Sequence, residues 1–115
     1  FGLADMLQLI RATGQSVDTV RLAGGAARSD AWRQLLADIF GATVEAVNEP
    51  DATAYGAALL ALVGAGLEPD AATAASAMVQ VTTRTTPSGQ DYGDIHARWR
   101  TLYAELAPAM HRLAD

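Results

Sequence analysis

Apolar residues recur every three or four positions near the start of the chain, at Leu3, Met6, Leu7 and Ile10. This spacing predicts a helix, and Gly14 is placed to end it because glycine readily adopts the left-handed conformation that follows many helices. Residues 18–23 then alternate polar and apolar side chains, which is typical of a strand. The predicted strand leads directly into the pair Gly24–Gly25.

The clearest amphipathic pattern follows that glycine pair. Five apolar residues fall at positions i, i+3, i+4, i+7 and i+8 of one helix, and they are Trp32, Leu35, Leu36, Ile39 and Phe40. We predict that this stripe faces the core. Ser29 is placed to cap the helix, Asp30 lies in its first turn, where the helix dipole favours an anion, and Gly41 is placed to end it.

Residues 43–47 are predicted to form a second strand, residues 48–51 a turn, and residues 52–63 a third helix. The third helix is apolar on nearly every face, so we predict that it is buried in the core. Gly56 inside it predicts a close approach of the helix to the sheet. Alternating helices and strands with short connections favour parallel strands and predict an α/β domain.

The last third of the chain carries weaker signals. Residues 70–78 are alanine-rich and are interpreted as a short helix, residues 79–86 as an extended segment, and residues 87–89 as a break. From about Asp91 the pattern predicts a long amphipathic helix, kinked or divided at Pro108 because proline cannot donate a hydrogen bond to the preceding turn.

The aromatic residues of this last helix lie on its apolar stripe. Tyr92, Trp99 and Tyr103 are therefore predicted to pack against the protein and not to form a stacking platform for a ligand.

Composition limits the classes of function. The 115 residues suit one domain, and 25 of them are alanine, so large apolar side chains are few. The chain has no cysteine and no lysine, which excludes disulfides, thiolate zinc sites, Schiff-base chemistry and a Walker A loop. The net charge of −5 and the scattered arginines argue against nucleic-acid binding. The longest apolar run, residues 54–65, is too short for the roughly 18 residues of a membrane span.

One segment offers a mechanism for binding a ligand. Two glycines after a strand let the backbone approach a ligand closely, and the following helix start offers free N–H groups and a positive dipole end to a phosphate. A plain tight turn at Gly24–Gly25 with Ser29 as a simple cap explains the same residues. The local pattern leaves both interpretations open.

Other polar residues give weaker evidence for a binding site. Glu45 lies where a dinucleotide-binding fold places its ribose-binding acid, but no G-x-G-x-x-G can be drawn, so Glu45 is interpreted as an exposed strand residue. His96 and His111 lack clustered ligands for a metal site and are interpreted as surface residues.

The remaining carboxylates have simple structural interpretations. Asp91 and Asp94 are interpreted as cap and dipole partners of the last helix and not as an acid/base pair. Asp38 lies on the helix face away from the apolar stripe and is interpreted as solvated.

The run from Leu22 to Gly41 resembles the C-terminal domain of the FGGY carbohydrate kinases, most closely the xylulokinase branch. The family has a strand, a glycine-rich turn, an alanine, a basic residue and a serine, then a helix with a Trp-Arg-Gln-like segment and Leu-Ala-Asp. Residues 54–61 are similar to the family's Gly-Ala-Ala helix, and Trp99 to Leu106 more weakly to its terminal helix.

The resemblance implies a partial ribonuclease-H-like (actin-like ATPase) domain, with a mixed sheet flanked by helices. Residues 1–115 would be the nucleotide-side, C-terminal domain of a kinase that closes around ATP, Mg²⁺ and a sugar, with the metal not held by this segment. By position, Gly24 and Gly25 would lie against the adenosine and α-phosphate, and Ser29 falls where some members place an asparagine. Ala26, where xylulokinase-like members often have a third glycine, and Ser29 are departures from the family pattern.

The family's general base, its sugar-binding residues and its N-terminal phosphate loop precede this segment. We therefore expect the chain to be part of a longer cytoplasmic kinase, which transfers the γ-phosphate of ATP to D-xylulose or a related sugar, and to be inactive alone. The start at Phe1, inside an amphipathic pattern, agrees with that expectation. The competing hypothesis is a non-enzymatic α/β interaction or oligomerisation module. Sugar identity is open, and so is quaternary state, a homodimer included.

Overall fold

The computed structural model describes residues 1–48 and 51–114. In these ranges the chain forms five α-helices, three strands and one 3₁₀ turn. In chain order they are α1 (Gly2–Ala12), β1 (Thr19–Leu22), the 3₁₀ turn (Gly25–Arg28), α2 (Asp30–Phe40), β2 (Thr43–Val47), α3 (Ala52–Gly64), α4 (Ala71–Met78), β3 (Val81–Thr85) and α5 (Gly93–Ala114).

The predicted helices and strands are confirmed, with small changes in their ends. Local chemistry accounts for the boundaries: Gly14 after α1 and Gly41 after α2 have φ of +88° and +56°, and Ser29 caps α2 by accepting from the Trp32 N–H at 3.3 Å. Asp91 accepts a hydrogen bond from the Gly93 N–H at the start of α5, as a cap does. The predicted turn at 48–51 includes residues 49 and 50, which lie outside the described residues.

The three strands form one mixed sheet in the order β1-β2-β3. β1 and β2 are parallel, with Thr19 opposite Thr43, whereas β3 runs antiparallel to β2, with an irregularity in register between Ala46 and Val47. The core lies where α1 and α2 cover β1 and β2. Its buried residues are Ala4, Leu7, Leu36, Ala37, Phe40, Ala42 and Val44.

The buried face of α2 differs from the predicted stripe. The buried positions are Arg33, Leu36, Ala37 and Phe40, whereas Trp32 is 46% exposed. In the first turn of α2 the buried position is thus Arg33, one residue after the predicted Trp32. At the inward position of the first turn the Arg33 guanidinium donates to the Ala27 carbonyl and the Asp30 carboxylate.

The predicted burial of the third helix is wrong. Within α3 only Leu59 is buried, and the helix packs mainly on α4. The predicted close approach at Gly56 is also wrong, since a Cβ added there would meet no atom within 4 Å. A helix that is apolar all round has no single face to direct toward a sheet.

The last helix continues through Pro108 and is not divided there. Ala104, four residues earlier, is exposed, so water can bond the carbonyl that loses its N–H partner. The predicted packing of Tyr103 is wrong, because this residue is 78% exposed, whereas Trp99 packs near Phe1 with ring centroids 6.0 Å apart. No helix in the described ranges combines the length and hydropathy needed to cross a bilayer.

His96 is not a surface residue as predicted, although His111 is exposed. The His96 ring stacks on Phe1 at 4.8 Å and its Nε2 lies 3.0 Å from the Asp5 carboxylate. This carboxylate also accepts hydrogen bonds from Arg100, which hold the pKa of Asp5 below its usual value. The cluster joins α1 to the first two turns of α5.

Two carboxylates predicted to be exposed or solvated have fixed partners. Glu45, on the central strand, is only 7% exposed and lies between Arg21 (Nε–Oε2 3.2 Å) and Arg84 (Nε–Oε1 2.8 Å). Asp38 accepts a hydrogen bond from the Ser88 hydroxyl at 3.0 Å and another from the Ser88 N–H. Desolvation raises the pKa of Asp38, but these bonds outweigh it, so the pKa is lowered. Asp38 thereby fastens the loop after β3 to α2.

Candidate functional site

The candidate site is built on the turn that follows β1. Gly24 has φ +85° and ψ −173°, a backbone conformation that side chains with a Cβ rarely adopt. Its carbonyl accepts a hydrogen bond from the Ala27 N–H at 3.1 Å, which closes the 3₁₀ turn. A Cβ added at Gly25 would meet no atom within 4 Å, so this position opens to space and not to protein.

Two clefts meet at the glycine turn. The first, of about 460 Å³, lies between the 3₁₀ turn, the end of β2 and β3. The second, of about 480 Å³, lies between the glycine pair and the start of α3. Both volumes are in the range of about 300–1,000 Å³ typical of small-molecule sites. Gly24 and Arg28 line both clefts.

This position in the sheet favours ligand binding. β1 and β2 are parallel, and both end at the clefts, where ligands of open α/β sheets usually bind. The α3 N-terminus borders the second cleft through Ala52 and Thr53, and Asp51 caps that helix by accepting from the Ala54 N–H at 3.0 Å. The start of α3 therefore borders the second cleft with both the positive end of its dipole and the Asp51 carboxylate that caps it.

The wall of the first cleft opposite the 3₁₀ turn is formed by the end of β2 and by β3, which are held together by side-chain hydrogen bonds. The Asn48 side chain donates to the Met78 carbonyl at 3.2 Å and accepts from the Gln80 N–H at 3.1 Å. Thr82 donates its hydroxyl to the Ala46 carbonyl at 3.2 Å. These bonds hold the Asn48 and Thr82 side chains in place before any ligand arrives.

Arg28 is the residue that the sequence reasoning missed. Its side chain is exposed and forms no hydrogen bond or ion pair with any residue in the described ranges, yet it lines both clefts. An unpaired guanidinium can bind phosphate or carboxylate oxygens, or stack on a flat ring. The sequence does contain a signal for Arg28, which is its place four residues after Gly24. A basic residue one helical turn after a glycine pair is brought back beside that pair.

Arg33 is the second residue that was missed. It is 7% exposed and lines the first cleft. Its two terminal nitrogens donate to the Ala27 carbonyl and the Asp30 carboxylate, while its Nε has no partner within the part of the chain that the structure describes. An arginine in the first turn of an amphipathic helix is normally solvated, so the sequence offered no signal for its burial.

Comparison with known proteins identifies the family. The model of the FGGY family of carbohydrate kinases, C-terminal domain, matches residues 1–65, which is more than half of the chain. The chain belongs to this family. An FGGY relative, the autoinducer-2 kinase of Enterobacter sp. (strain 638), is 31% identical over 104 residues, which are 88% of this chain and 20% of that protein. The xylulose kinase of Bacillus subtilis (strain 168) is 42% identical over 66 residues, which are 57% of this chain and 13% of that one.

A solved structure agrees on the fold. Ligand-bound xylulose kinase from Lactobacillus acidophilus superposes with a TM-score of 0.58 at 23% identity, covering 88% of this chain and 20% of that one. The mixed α/β arrangement is thus that of the FGGY kinases, the actin-like ATPase fold, as predicted. The chain spans about a fifth of the length of the relatives that match most of it.

The three predicted FGGY site residues lie in different settings. Gly24 and Gly25 border the clefts, whereas Ser29 is not among the residues that line either one. The Ser29 hydroxyl oxygen accepts from the Trp32 N–H as the cap of α2. A contact between any of the three and a nucleotide stays a prediction. In the described ranges no three His, Cys, Asp or Glu side chains gather as a metal site.

Proposed function

We propose that residues 1–115 are the nucleotide-side, C-terminal segment of a cytoplasmic ATP-dependent sugar kinase. The observation that carries this proposal is the junction of two clefts at Gly24, with Arg28 beside it and no partner for Arg28 among the described residues. The glycine backbone lets a ligand approach closely, and the guanidinium supplies charge for phosphate oxygens. Membership of a carbohydrate kinase family supports the same ligand class.

The residues present fit ATP. The open space at Gly25 is a place that a side chain would fill, and Arg28 brings a positive charge to the second cleft, which the Asp51 carboxylate at the start of α3 also lines. Gly24 and Gly25 would lie against the adenosine and α-phosphate, with Arg28 within reach of both clefts. Mg²⁺ would arrive with the nucleotide and would neutralise phosphate charge, held by residues outside this chain.

The proposed reaction transfers the γ-phosphate of ATP to a sugar hydroxyl. We propose D-xylulose as the sugar, supported by the 42% identity with a xylulose kinase, although other relatives are autoinducer-2 kinases. The general base and the sugar contacts would come from the rest of the kinase, so the isolated chain would be inactive and would bind nucleotide weakly at best.

A non-enzymatic interaction module is the second candidate, favoured by one observation. A groove of about 760 Å³ between α1, α2 and the start of α5 is lined mostly by apolar side chains, among them Leu3, Met6 and Trp32. Exposed apolar surface of this kind is typical of contact sites. The two candidates differ in nucleotide binding, which only the kinase requires.

The test is the Gly25→Asp substitution in the full-length kinase. A carboxylate at this open position would repel phosphate without disturbing the fold, so we expect the Kd for ATP, measured calorimetrically, to rise by about tenfold or more. Gly64→Asp is the matched control. It introduces the same charge at the opposite end of α3, where a Cβ also meets no atom within 4 Å, and we expect an unchanged Kd. Equal ATP affinity in the Gly25→Asp protein and the parent protein would remove the site assignment.

A further inference from the structure

We propose that Arg33 is a positioning residue for the nucleotide site. Its guanidinium holds the 3₁₀ turn in the shape that presents Gly24 and Arg28 to the clefts. This inference rests on the proposed function, because it concerns how the site that would receive ATP is held in place.

The first step of the argument is a relay of hydrogen bonds. The Gly24 carbonyl accepts from the Ala27 N–H at 3.1 Å, and the Ala27 carbonyl in turn accepts from a terminal nitrogen of Arg33. The two bonds fix the peptide groups on either side of the Ala27 Cα, so together they restrain the φ and ψ angles of that residue. The conformation of Gly24 is therefore coupled to the Arg33 guanidinium through a single buried residue, Ala27.

The second step concerns how Arg33 itself is held. Its other terminal nitrogen donates to the Asp30 carboxylate, one helical turn earlier, and this carboxylate is 94% exposed. The planar guanidinium thus spans α2 and the 3₁₀ turn, with its two bonds in fixed directions. A lysine could not make both bonds in this geometry, because its single ammonium group lacks the rigid fork.

The third step concerns burial. A charged side chain that is 7% exposed is costly unless it is fully paired, and Nε of Arg33 has no partner in the described ranges. Packing alone would favour an apolar residue at this position, next to Leu36 and Ala37 on the same face. Holding the turn at the edge of the first cleft accounts for a buried arginine there.

The chain offers a matched control in Arg11, which lies on α1 and binds the far end of α2. Arg11 also donates from its two terminal nitrogens to two backbone carbonyls, those of Phe40 at 2.8 Å and Val17 at 2.7 Å. It joins α1 to the end of α2 and lines neither cleft. Arg11→Met and Arg33→Met therefore remove the same kind of fork, and only the second acts on the glycine turn.

The experiment measures binding of ATP and of sugar by the full-length kinase. We expect Arg33→Met to raise the Kd for ATP about tenfold with the Kd for the sugar unchanged, and Arg11→Met to change neither. Asp30→Ala removes only the exposed partner, so it should raise the Kd for ATP about two- to threefold and serves if Arg33→Met does not fold. In Arg33→Ala, ethylguanidinium should restore ATP affinity, whereas ethylammonium should not.

The outcomes separate this inference from the proposed function. If Gly25→Asp weakens ATP binding while Arg33→Met and Asp30→Ala leave it unchanged, the nucleotide site stands and the role of Arg33 is wrong. If Arg33→Met and Arg11→Met weaken the binding of ATP and sugar alike, Arg33 has only a general structural role and the inference is again wrong. If none of the three site variants changes ATP binding, the proposed function fails, and the inference fails with it.

Discussion

Glu45 lies between two arginines that are 24 and 39 positions away along the chain. The register of the sheet places Arg21 opposite it on β1 and Arg84 opposite it on β3. No local pattern could predict this pairing, because it depends on which strands are neighbours and in what register. The same limit applies to Arg33, whose partner Ala27 belongs to a different element.

The ion pairs of Glu45 predict a pH dependence of stability. Hydrogen bonds from Arg84, and then from Arg21, lower the pKa of Glu45 in the folded chain below its usual 4.5. The stabilisation is therefore fully present above that value and is lost as the pH falls through the lower, folded pKa. We expect Glu45→Gln to destabilise the chain at pH 7, and its stability to fall less steeply than that of the parent below about pH 4.5.

Urea denaturation of both proteins between pH 3 and 7 measures this difference. Glu105→Gln is the control, since the Glu105 side chain on exposed α5 makes no hydrogen bond or ion pair in the described ranges. Parallel pH profiles for Glu45→Gln and the parent protein would contradict the prediction.

At the scale of elements, the sequence predicts what local chemistry decides. α2 ends at Gly41 because glycine adopts the left-handed conformation, and it begins after Ser29 because that side chain accepts a backbone hydrogen bond. β2 has the predicted bounds because residues 43–47 are a short β-rich run. The faces of helices are less well predicted, because burial depends on a neighbour that the pattern does not identify. α3 illustrates this, since apolar residues all round it predict burial but choose no partner.

The candidate site divides in the same way. The glycine pair could be found from the sequence because a strand followed by Gly24–Gly25 is a local signal. Arg28 has a local signal as well, its place one turn after the glycine pair, whereas Arg33 has none, since its role requires a cleft that β2 and β3 complete. The predicted capping of α2 by Ser29 is confirmed, whereas the predicted contact of Ser29 with a nucleotide stays a prediction.

Gly56 gives a prediction at the level of one helix. Since a Cβ there meets no atom within 4 Å, Gly56→Ala should raise the free energy of unfolding of the 115-residue chain by about 0.5–1 kcal/mol through helix propensity. Gly41→Ala makes the same change at a residue with φ +56° and should lower it by about 1 kcal/mol. Chemical denaturation measures both. A loss of stability in Gly56→Ala would show that this glycine does pack closely.

At the scale of the whole molecule, the contacts that join α5 to the rest of the described residues lie near the start of the helix. The described links are the contacts of Phe1 with His96 and Trp99, the approach of the Trp99 ring to Gly2, and the polar contacts of His96 and Arg100 with α1. Further along, Leu106, Met110 and Leu113 are exposed. A long amphipathic pattern does not tell whether its partner lies within the same 115 residues, and here the second half of the helix finds none in the described ranges.

Asp5 contacts both polar side chains by which the start of α5 docks on α1. The Asp5→Asn substitution removes the carboxylate charge that the Arg100 and His96 side chains both contact. We therefore expect amide hydrogen exchange in the first two turns of α5 to be faster by at least several-fold. NOEs between the Phe1 and His96 rings should become weaker. Exchange in α2 should not change, because the core does not include this cluster.

Acid should weaken the docking of α5 in the same direction as the Asp5→Asn substitution. The pKa of Asp5 is lowered mainly by the hydrogen bond from Arg100, so the contact persists below pH 3.8 and is lost as the pH falls through the lower value. Glu105→Gln, on the exposed part of the same helix, should leave both signals as in the parent protein. Equal exchange in Asp5→Asn and the parent would mean that ring stacking alone holds α5 in place.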